Sequence, residues 1–417
     1  MSPLGLTLAY LRRDAPAAAL SVVLLAVGIA TVTVLLLLTH QLQDRLTRDA
    51  EGIDLVVGAK GSPMQLILAG IFHLDAPTGN IPLEEARWVA DHPLVAETIP
   101  LALGDSFRGA RIVGTEHAYV EHYGGELAEG RLWESDMEAV LGARMAERAG
   151  LETGDRFVGV HGITAADDGA GEVHDDRPYT ITGVLAPTGT VLDRLVLVSV
   201  ESVWHVHDHD GDTAPGDGDD HGHDSGEARD TAHADDRELT MQLVSYRSPL
   251  AAVTLPRAVN ERGPLQAASP SRQIQRLMGL LGFGFDALRT LGWLLVGLAT
   301  LGVFIGLYSA MRHRRRDLAL LRLLGASRAR LFGQTLFEGV ALTLAGTLLG
   351  LCLGHVAAEL LGQGLRPTEQ LAITGRVFVM EELWLLLLAL PVGAAAALVP
   401  AIQAYRTDVA ETLGRGS

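Results

Sequence analysis

Four stretches of the chain stay apolar for far longer than the strands and helices of a water-soluble core require. The first runs from Ala15 to Thr39 without a charge and the second from Leu291 to Met311. The third runs from Leu331 to Leu353, broken only by Glu338, and the fourth from Leu383 to Ile402 with Pro391 inside it. A helix rises about 1.5 Å per residue, so about 20 apolar residues cross the hydrocarbon of a bilayer. The pattern predicts four transmembrane helices, one before and three after a long polar block. The implied segments are a tail over 1–14, a span over 15–39, an outer domain over 40–288, and a span over 289–311. A loop helix over 312–330, a span over 331–361, a loop over 362–382, a span over 383–402 and a tail over 403–417 complete the chain.

The first run follows Arg12 and Arg13, as the core of a secretory signal would. A cleavable apolar core is about 7–15 residues long. This one is longer and ends without a small-x-small cleavage pattern, so an uncleaved anchor is expected. Arginines set the orientation. Arg12 and Arg13 precede the first span; Arg312, Arg314, Arg315, Arg316, Arg322, Arg328 and Arg330 lie between spans two and three; Arg406 and Arg415 follow the fourth. Those segments are expected in the cytoplasm, with both termini inside and the 40–288 block outside, in the periplasm of a cell with an outer membrane.

Within that block the periodicity shortens. Gln41–Glu51 is polar and continues the first helix as a stalk. Strand patterns occur at Ile53–Val57, Arg111–Val113, Arg156–Val160, Tyr179–Val184, Leu195–Val200 and Leu239–Ser245. Helix patterns occur at Met64–Phe72, Leu83–Asp91 and Ala139–Gly150, with Gly150 as a stop for the last. This mixture predicts a compact α+β domain. Residues 205–238 are of another kind: apolar residues nearly vanish and Gly, Asp and His take over, so a disordered insert is expected there.

Charge sharpens the picture. The net charge is −17, and the excess acid lies in the outer block, which argues against nucleic acid as a partner. Cys352 is the only cysteine and sits in an apolar run, so the outer domain has no disulfide. Lys60 is the only lysine, and its surroundings lack the glycines and Ser/Thr of a phosphate-binding loop. The chain therefore carries no ATPase site of that type. It also has no G-x-S-x-G and no H-E-x-x-H, and no catalytic residue is assigned.

Three groups of residues carry candidate function. The first is Arg314–Ser327, which reads RRRDLALLRLLGAS. Leu318, Leu321 and Leu324 recur at three-residue spacing, with Leu320 and Leu323 beside them, giving an amphipathic helix under the membrane. Gly325 ends it and Ser327 caps the next helix. Such a helix fits a groove of a soluble partner or lies on lipid headgroups. The second group is His205, His207, His209, His221, His223 and His233 amid ten aspartates. Imidazole and carboxylate suit zinc, nickel or copper, while the irregular spacing suits loose capture better than a fixed centre. An acidic solvated linker with incidental histidines is the alternative. The third is Lys60, Met64, Phe72 and His73, around an apolar helix of the outer block that serves either as a substrate or partner contact or as core. Glu338 within a span is either a proton-relay acid or a structural or partner-contact group near the cytoplasmic end.

The coupling-type segment Arg316–Ser327 resembles that of the FtsX/MacB-like ABC transporter permease family. So does Pro400–Leu413, where a span ends at proline and runs into a basic-then-acidic tail. The outer block is similar to the family's MacB-like extracytoplasmic domain at Glu129–Trp133, Leu141–Asp155 and Tyr179–Leu185. The resemblance implies a dimer of permeases with two copies of a cytoplasmic ATPase, which would bind the ATP and magnesium. Arg316, Asp317, Leu320, Leu323 and Leu324 would contact that ATPase. It further implies transmission of ATPase motion to the outer domain, for export, extraction of a lipoprotein or action on another periplasmic protein. A role in zinc homeostasis through the insert is a further expectation. Competing readings are a metal-sensing membrane receptor or scaffold without an ATPase, and a secondary transporter, for which four spans without repeated halves give little support.

Overall fold

In the computed structural model, residues 15–162, 177–207, 237–313, 322–364 and 373–406 are described. The chain divides into two compact units, one of residues 1–43 with 279–417 and the other of residues 44–278.

The helical unit holds four helices long and apolar enough to cross a membrane. They are α1 (Ala15–Asp49), whose last residues belong to the other unit, and α8 (Pro270–His313), which begins in it. The other two are α9 (Arg328–Gly364) and α10 (Met380–Arg406). Their meeting faces are built from small residues, as expected where backbones approach closely in lipid. Gly346, Gly350 and Gly354 recur at four-residue spacing on α9 and face Leu25, Ile29 and Thr33 of α1. A Cβ placed on Gly350 would stand 2.6 Å from the Ile29 Cβ, so only glycine fits. Gly28 meets Val296 of α8, and Gly339 meets Ala397 of α10. Leu25, Ile29, Val32, Val296, Ala299, Leu351 and Leu385 form a shared apolar core among all four helices. Thr343 Oγ1 on α9 donates to the Ala389 carbonyl of α10 at 3.0 Å, two residues before Pro391.

The other unit is an α+β domain on a mixed sheet of eleven strands. Its elements are β1 (Leu55–Ala59), α2 (Pro63–Gly70), β2 (Ile81–Pro82), α3 (Leu83–Ala90), β3 (Val95–Phe107) and β4 (Ala110–Thr115). Next come α4 (His117–His122), β5 (Leu127–Gly130), β6 (Glu138–Leu141), α5 (Ala143–Ala149), β7 (Arg156–Phe157), β8 (Val160–His161) and β9 (Tyr179–Leu185). A 3-10 turn (Val191–Arg194), β10 (Val196–Ser199), α6 (Val200–His207), β11 (Glu238–Leu239), β12 (Met241–Tyr246), α7 (Ala251–Glu261) and β13 (Leu265–Ala268) complete it. The strand order is β13-β1-β12-β3-β4-β10-β6-β9-β5, with β7 on β9 and β8 on β3; β11 pairs β2 separately. β4–β10 and β6–β9 run parallel, the remaining pairs antiparallel. β1 pairs β13 with Val56 opposite Ala268 and Ala59 opposite Leu265. Alternating residues of β9, Tyr179, Ile181, Gly183 and Leu185, face inward, and Tyr179 stacks on Phe157 at 5.3 Å.

Several predicted elements take another form. The helix expected over Ala139–Gly150 is a strand followed by a helix: β6 pairs β10 and β9, and α5 starts only at Ala143. The break falls at Gly142, whose Cβ would collide with the carbonyl of Leu192. Gly150 does end α5, in the left-handed conformation with φ +62°. The strand expected over Arg156–Val160 is two short strands on different partners. The expected insert begins too early, because His205 and His207 belong to α6. Residues 208–236 lie outside the described residues.

Candidate functional site

The predicted ATPase-facing segment is described only at its end. Arg316, Asp317 and Leu320 lie outside the described residues. Leu323 and Leu324 are exposed at 62 % and 85 % of their surface. Gly325 follows with φ +96°, and Ser327 Oγ accepts the Arg330 amide at 3.3 Å to start α9. Arg328 lies over the Tyr405 ring of α10, 6.0 Å from its centroid. Further along α9, Glu338 is buried at 4 % exposure and has a polar interaction within the protein.

The outer-contact candidates divide. Lys60 is exposed, with Nζ donating to the Gly263 carbonyl at 3.2 Å, and Met64 is half-buried. Phe72 and His73 are core residues, which corrects the contact role considered for them. Ser62 caps α2, and the chain leaving it turns sharply at His73, where φ is +51°. His73 Nε2 bonds Tyr119 Oη at 2.9 Å. Burial, with Arg111 and Arg194 nearby, holds the imidazole neutral, well below its ordinary pKa. Arg111 donates to the Asp75 carbonyl at 2.6 Å and Arg194 to the Phe72 carbonyl at 2.8 Å. Burial pulls the Arg111 guanidinium down to about 10. The same cluster receives the end of α1. Asp49 accepts the Val191 amide at 3.1 Å through its side chain, and its carbonyl accepts Tyr123 Oη at 2.8 Å. No sequence motif marks this cluster, because its members are single polar residues scattered between positions 49 and 194.

Of the six predicted metal-ligating histidines, only His205 has a described side chain. His209, His221, His223 and His233 lie outside the described residues, as does the side chain of His207. His205 Nδ1 pairs with Asp136 Oδ2 at 3.0 Å. Asp136 Oδ1 accepts Ser199 Oγ at 3.3 Å, and Ser199 Oγ bonds Ser202 Oγ at 2.7 Å. A carboxylate against Nδ1 draws a hydrogen to that nitrogen and orients the ring, as carboxylates do behind metal-bound histidines. The side chain is half-exposed. Among the described residues no group of three or more His, Cys, Asp or Glu is placed to hold a metal.

Two family profiles cover most of the chain in sequence. The MacB-like periplasmic core domain matches residues 18–223, and the FtsX-like permease C-terminal region matches residues 289–409. The chain belongs to the FtsX/MacB-like permease family. The permease fold is thus one span, a MacB-like α+β domain and three further spans. Among solved structures, the periplasmic region of MacB from Actinobacillus actinomycetemcomitans aligns at 12 % identity and TM-score 0.32. The alignment covers 55 % of the permease and 95 % of that chain. The extracellular domain of the noncanonic ABC-type transporter YknZ from Gram-positive bacteria aligns at 11 % identity and TM-score 0.29, over 52 % of the permease and 99 % of that chain. No curated protein matches the permease.

Proposed function

We propose that this chain is the permease subunit of an ABC transporter whose separate cytoplasmic ATPase drives work by the outer α+β domain. The observation that carries the reading is the order of the two family regions along one chain, joined to four apolar helices arranged one before and three after. In this reading the partner binds ATP and magnesium, which agrees with Lys60, the only lysine, lacking the glycines and Ser/Thr of a phosphate-binding loop around it. Arg316, Asp317, Leu320, Leu323 and Leu324 form the ATPase contact, and the exposure of the two described leucines supports it. Two permease copies, identical in sequence, pair with two ATPase copies in the bacterial plasma membrane, both termini in the cytoplasm. The work is export, extraction or mechanical work in the periplasm, with a periplasmic protein or a lipoprotein on the outer side.

His205 supports a link to a transition metal, zinc first. Its Nδ1–Asp136 contact leaves one nitrogen prepared for coordination, and five further histidines follow within the next 28 residues of sequence. A metal-sensing receptor without an ATPase makes use of the same histidines but has no need of the exposed leucine pair.

The test is purification of the chain from its native membranes in mild detergent, followed by assay of the preparation for a bound ATPase subunit and for metal. The permease reading expects an ATPase that is lost from Asp317→Arg and Leu320→Asp variants while the chain itself stays in the membrane. Recovery of folded chain with zinc and no ATPase overturns it in favour of the receptor.

A further inference from the structure

One polar cluster of the helical unit takes no part in the reading above. Glu382, in the first turn of α10, is fully buried. Its Oε2 lies 2.8 Å from His355 Nε2 on α9, and its Oε1 accepts the Val379 amide at 3.2 Å. The other ring nitrogen, His355 Nδ1, lies 2.6 Å from the Gly375 carbonyl. Residues 373–379, the segment leading into α10, are held at further points. Glu359 Oε2 on α9 accepts both Gly375 N and Thr374 Oγ1 at 3.0 Å. Gln41 on α1 pairs with the Thr374 backbone twice, through Nε2 to the carbonyl at 2.8 Å and through Oε1 from the amide at 3.0 Å. Gly375 packs so closely on the His355 carbonyl that a Cβ would collide with it.

The proton count of this arrangement follows from the acceptors. A carbonyl can only accept, so His355 Nδ1 carries a hydrogen. The short contact between Nε2 and Oε2 also requires a hydrogen, whether it sits on the imidazole or on the carboxyl. Imidazolium with carboxylate and imidazole with carboxylic acid are the two forms, and each has net charge zero. Without that hydrogen, a ring lone pair would face a carboxylate in a buried site, which is strongly unfavourable.

We infer that His355 and Glu382 share one proton, and that this proton fastens segment 373–379 across α9 and α10. Opening the latch exposes an ordinary histidine and an ordinary glutamate. Above about pH 6.5 these carry one proton fewer than the closed pair. Opening then releases a proton, and its equilibrium constant rises up to about tenfold per pH unit. The latch therefore holds in neutral surroundings and loosens as the medium turns alkaline. The other ionisable groups within about a turn of the contact residues along these elements are Cys352 and Glu359 on α9, Arg376 on the segment, Glu381 on α10, and His40, Asp44 and Arg45 on α1. Glu359 lies 3.9 Å from Arg376 Nε and is a carboxylate throughout this range, so it contributes no proton to opening.

Hydrogen exchange of the full chain in detergent or nanodiscs, read on the peptide covering 373–379 between about pH 7 and 9, tests the latch. Intrinsic amide exchange rises about tenfold per pH unit, and proton-releasing opening adds up to another tenfold. The wild type is expected to show a logarithmic slope near two. Glu382→Gln supplies a permanent N–H donor to His355 Nε2 and keeps an acceptor for Val379, so its slope is expected near one. Glu359→Gln removes a charge from the same segment and is expected to keep a slope near two. A wild-type slope of one, or a slope of two retained by Glu382→Gln, overturns the inference. If Glu382→Gln fails to fold, nitrogen-15 spectra of His355 in the wild type decide. Protonated Nδ1 with a hydrogen-bonded Nε2 at pH 7 supports the shared proton, and a free imidazole overturns it.

Discussion

The Asp49 carboxylate accepts the backbone amide of Val191 at 3.1 Å, so the final residue of α1 closes onto the start of a 3-10 turn 142 positions later. Both groups are buried, and the Asp49 carbonyl takes a second bond from Tyr123. Asp49→Ala leaves the Val191 amide without its acceptor and is expected to destabilise the α+β unit by about 1–3 kcal/mol. Asp49→Asn keeps an acceptor oxygen and should lose less. Thermal or denaturant unfolding of the two variants against wild type checks the order.

Acid stability gives a separate reading. Arg131 clasps Glu138 with Nη1–Oε2 at 2.7 Å and Nη2–Oε1 at 2.5 Å, and the amides of Glu134 and Ser135 add to the same carboxylate. The guanidinium above all holds the Glu138 carboxyl at about 2. A depressed folded-state pKa contributes stability that is complete above the ordinary value of about 4.3 and is lost as pH falls toward 2. Unfolding midpoints of the wild type should fall across that window. Glu138→Gln should start lower and fall less steeply.

Packing among the spans is open to a direct test. Gly350→Leu places a side chain where the Ile29 Cβ and the Ala26 carbonyl already stand. Overpacking of this kind costs about 1–3 kcal/mol or more. The variant is expected to melt at a lower temperature in detergent, whereas Gly297→Leu, whose Cβ would meet nothing within 4 Å, should not.

The leucine pair before α9 predicts a change in assembly without a change in fold. Leu324 is largely exposed, so Leu324→Asp should leave the melting temperature of the permease unchanged. It should weaken capture of the ATPase roughly tenfold or more, since the proposed contact would then bury an unpaired carboxylate. Pull-down with the tagged permease measures this.

For the metal, zinc titration by calorimetry on the purified chain should show weaker binding in His205→Ala. Asp136→Asn should weaken it as well, by about 10-fold or more, through loss of the tautomer-fixing carboxylate. Equal affinities in all three proteins, or no binding by the wild type, would overturn the proposed metal role of His205.

The spans were legible because an unbroken apolar run of that length has few alternatives. The outer domain was legible where a strand alternates, as at β9, and obscure where it does not. β3 escaped detection because Pro100, Gly104, Asp105 and Ser106 interrupt its apolar pattern, although its pairing with β12 and β4 is long. Its hairpin turn is Arg108-Gly109, both at positive φ, in place of the Asn-Gly or Asp-Gly that signals such a turn. β6 reads as helix in the sequence because Ala139–Leu141 is too short to show its period and joins a helical pattern across Gly142. The cluster around His73 and the His355–Glu382 pair had no local signature. Their chemistry arises from burial and from contacts between distant segments, neither of which a linear pattern encodes.

The pairing of β1 with β13 brings the first and last strands of the α+β unit side by side, with Val56 opposite Ala268. The sheet therefore starts and ends at the same place, and the 211 residues 57–267 connect two neighbouring points. In the terms of chain connectivity the whole domain is equivalent to a short loop between two helices. A domain of that kind can be exchanged, duplicated or enlarged by recombination without re-spacing the helices on either side. One membrane scaffold can thus acquire a new outer task by replacing a single cassette.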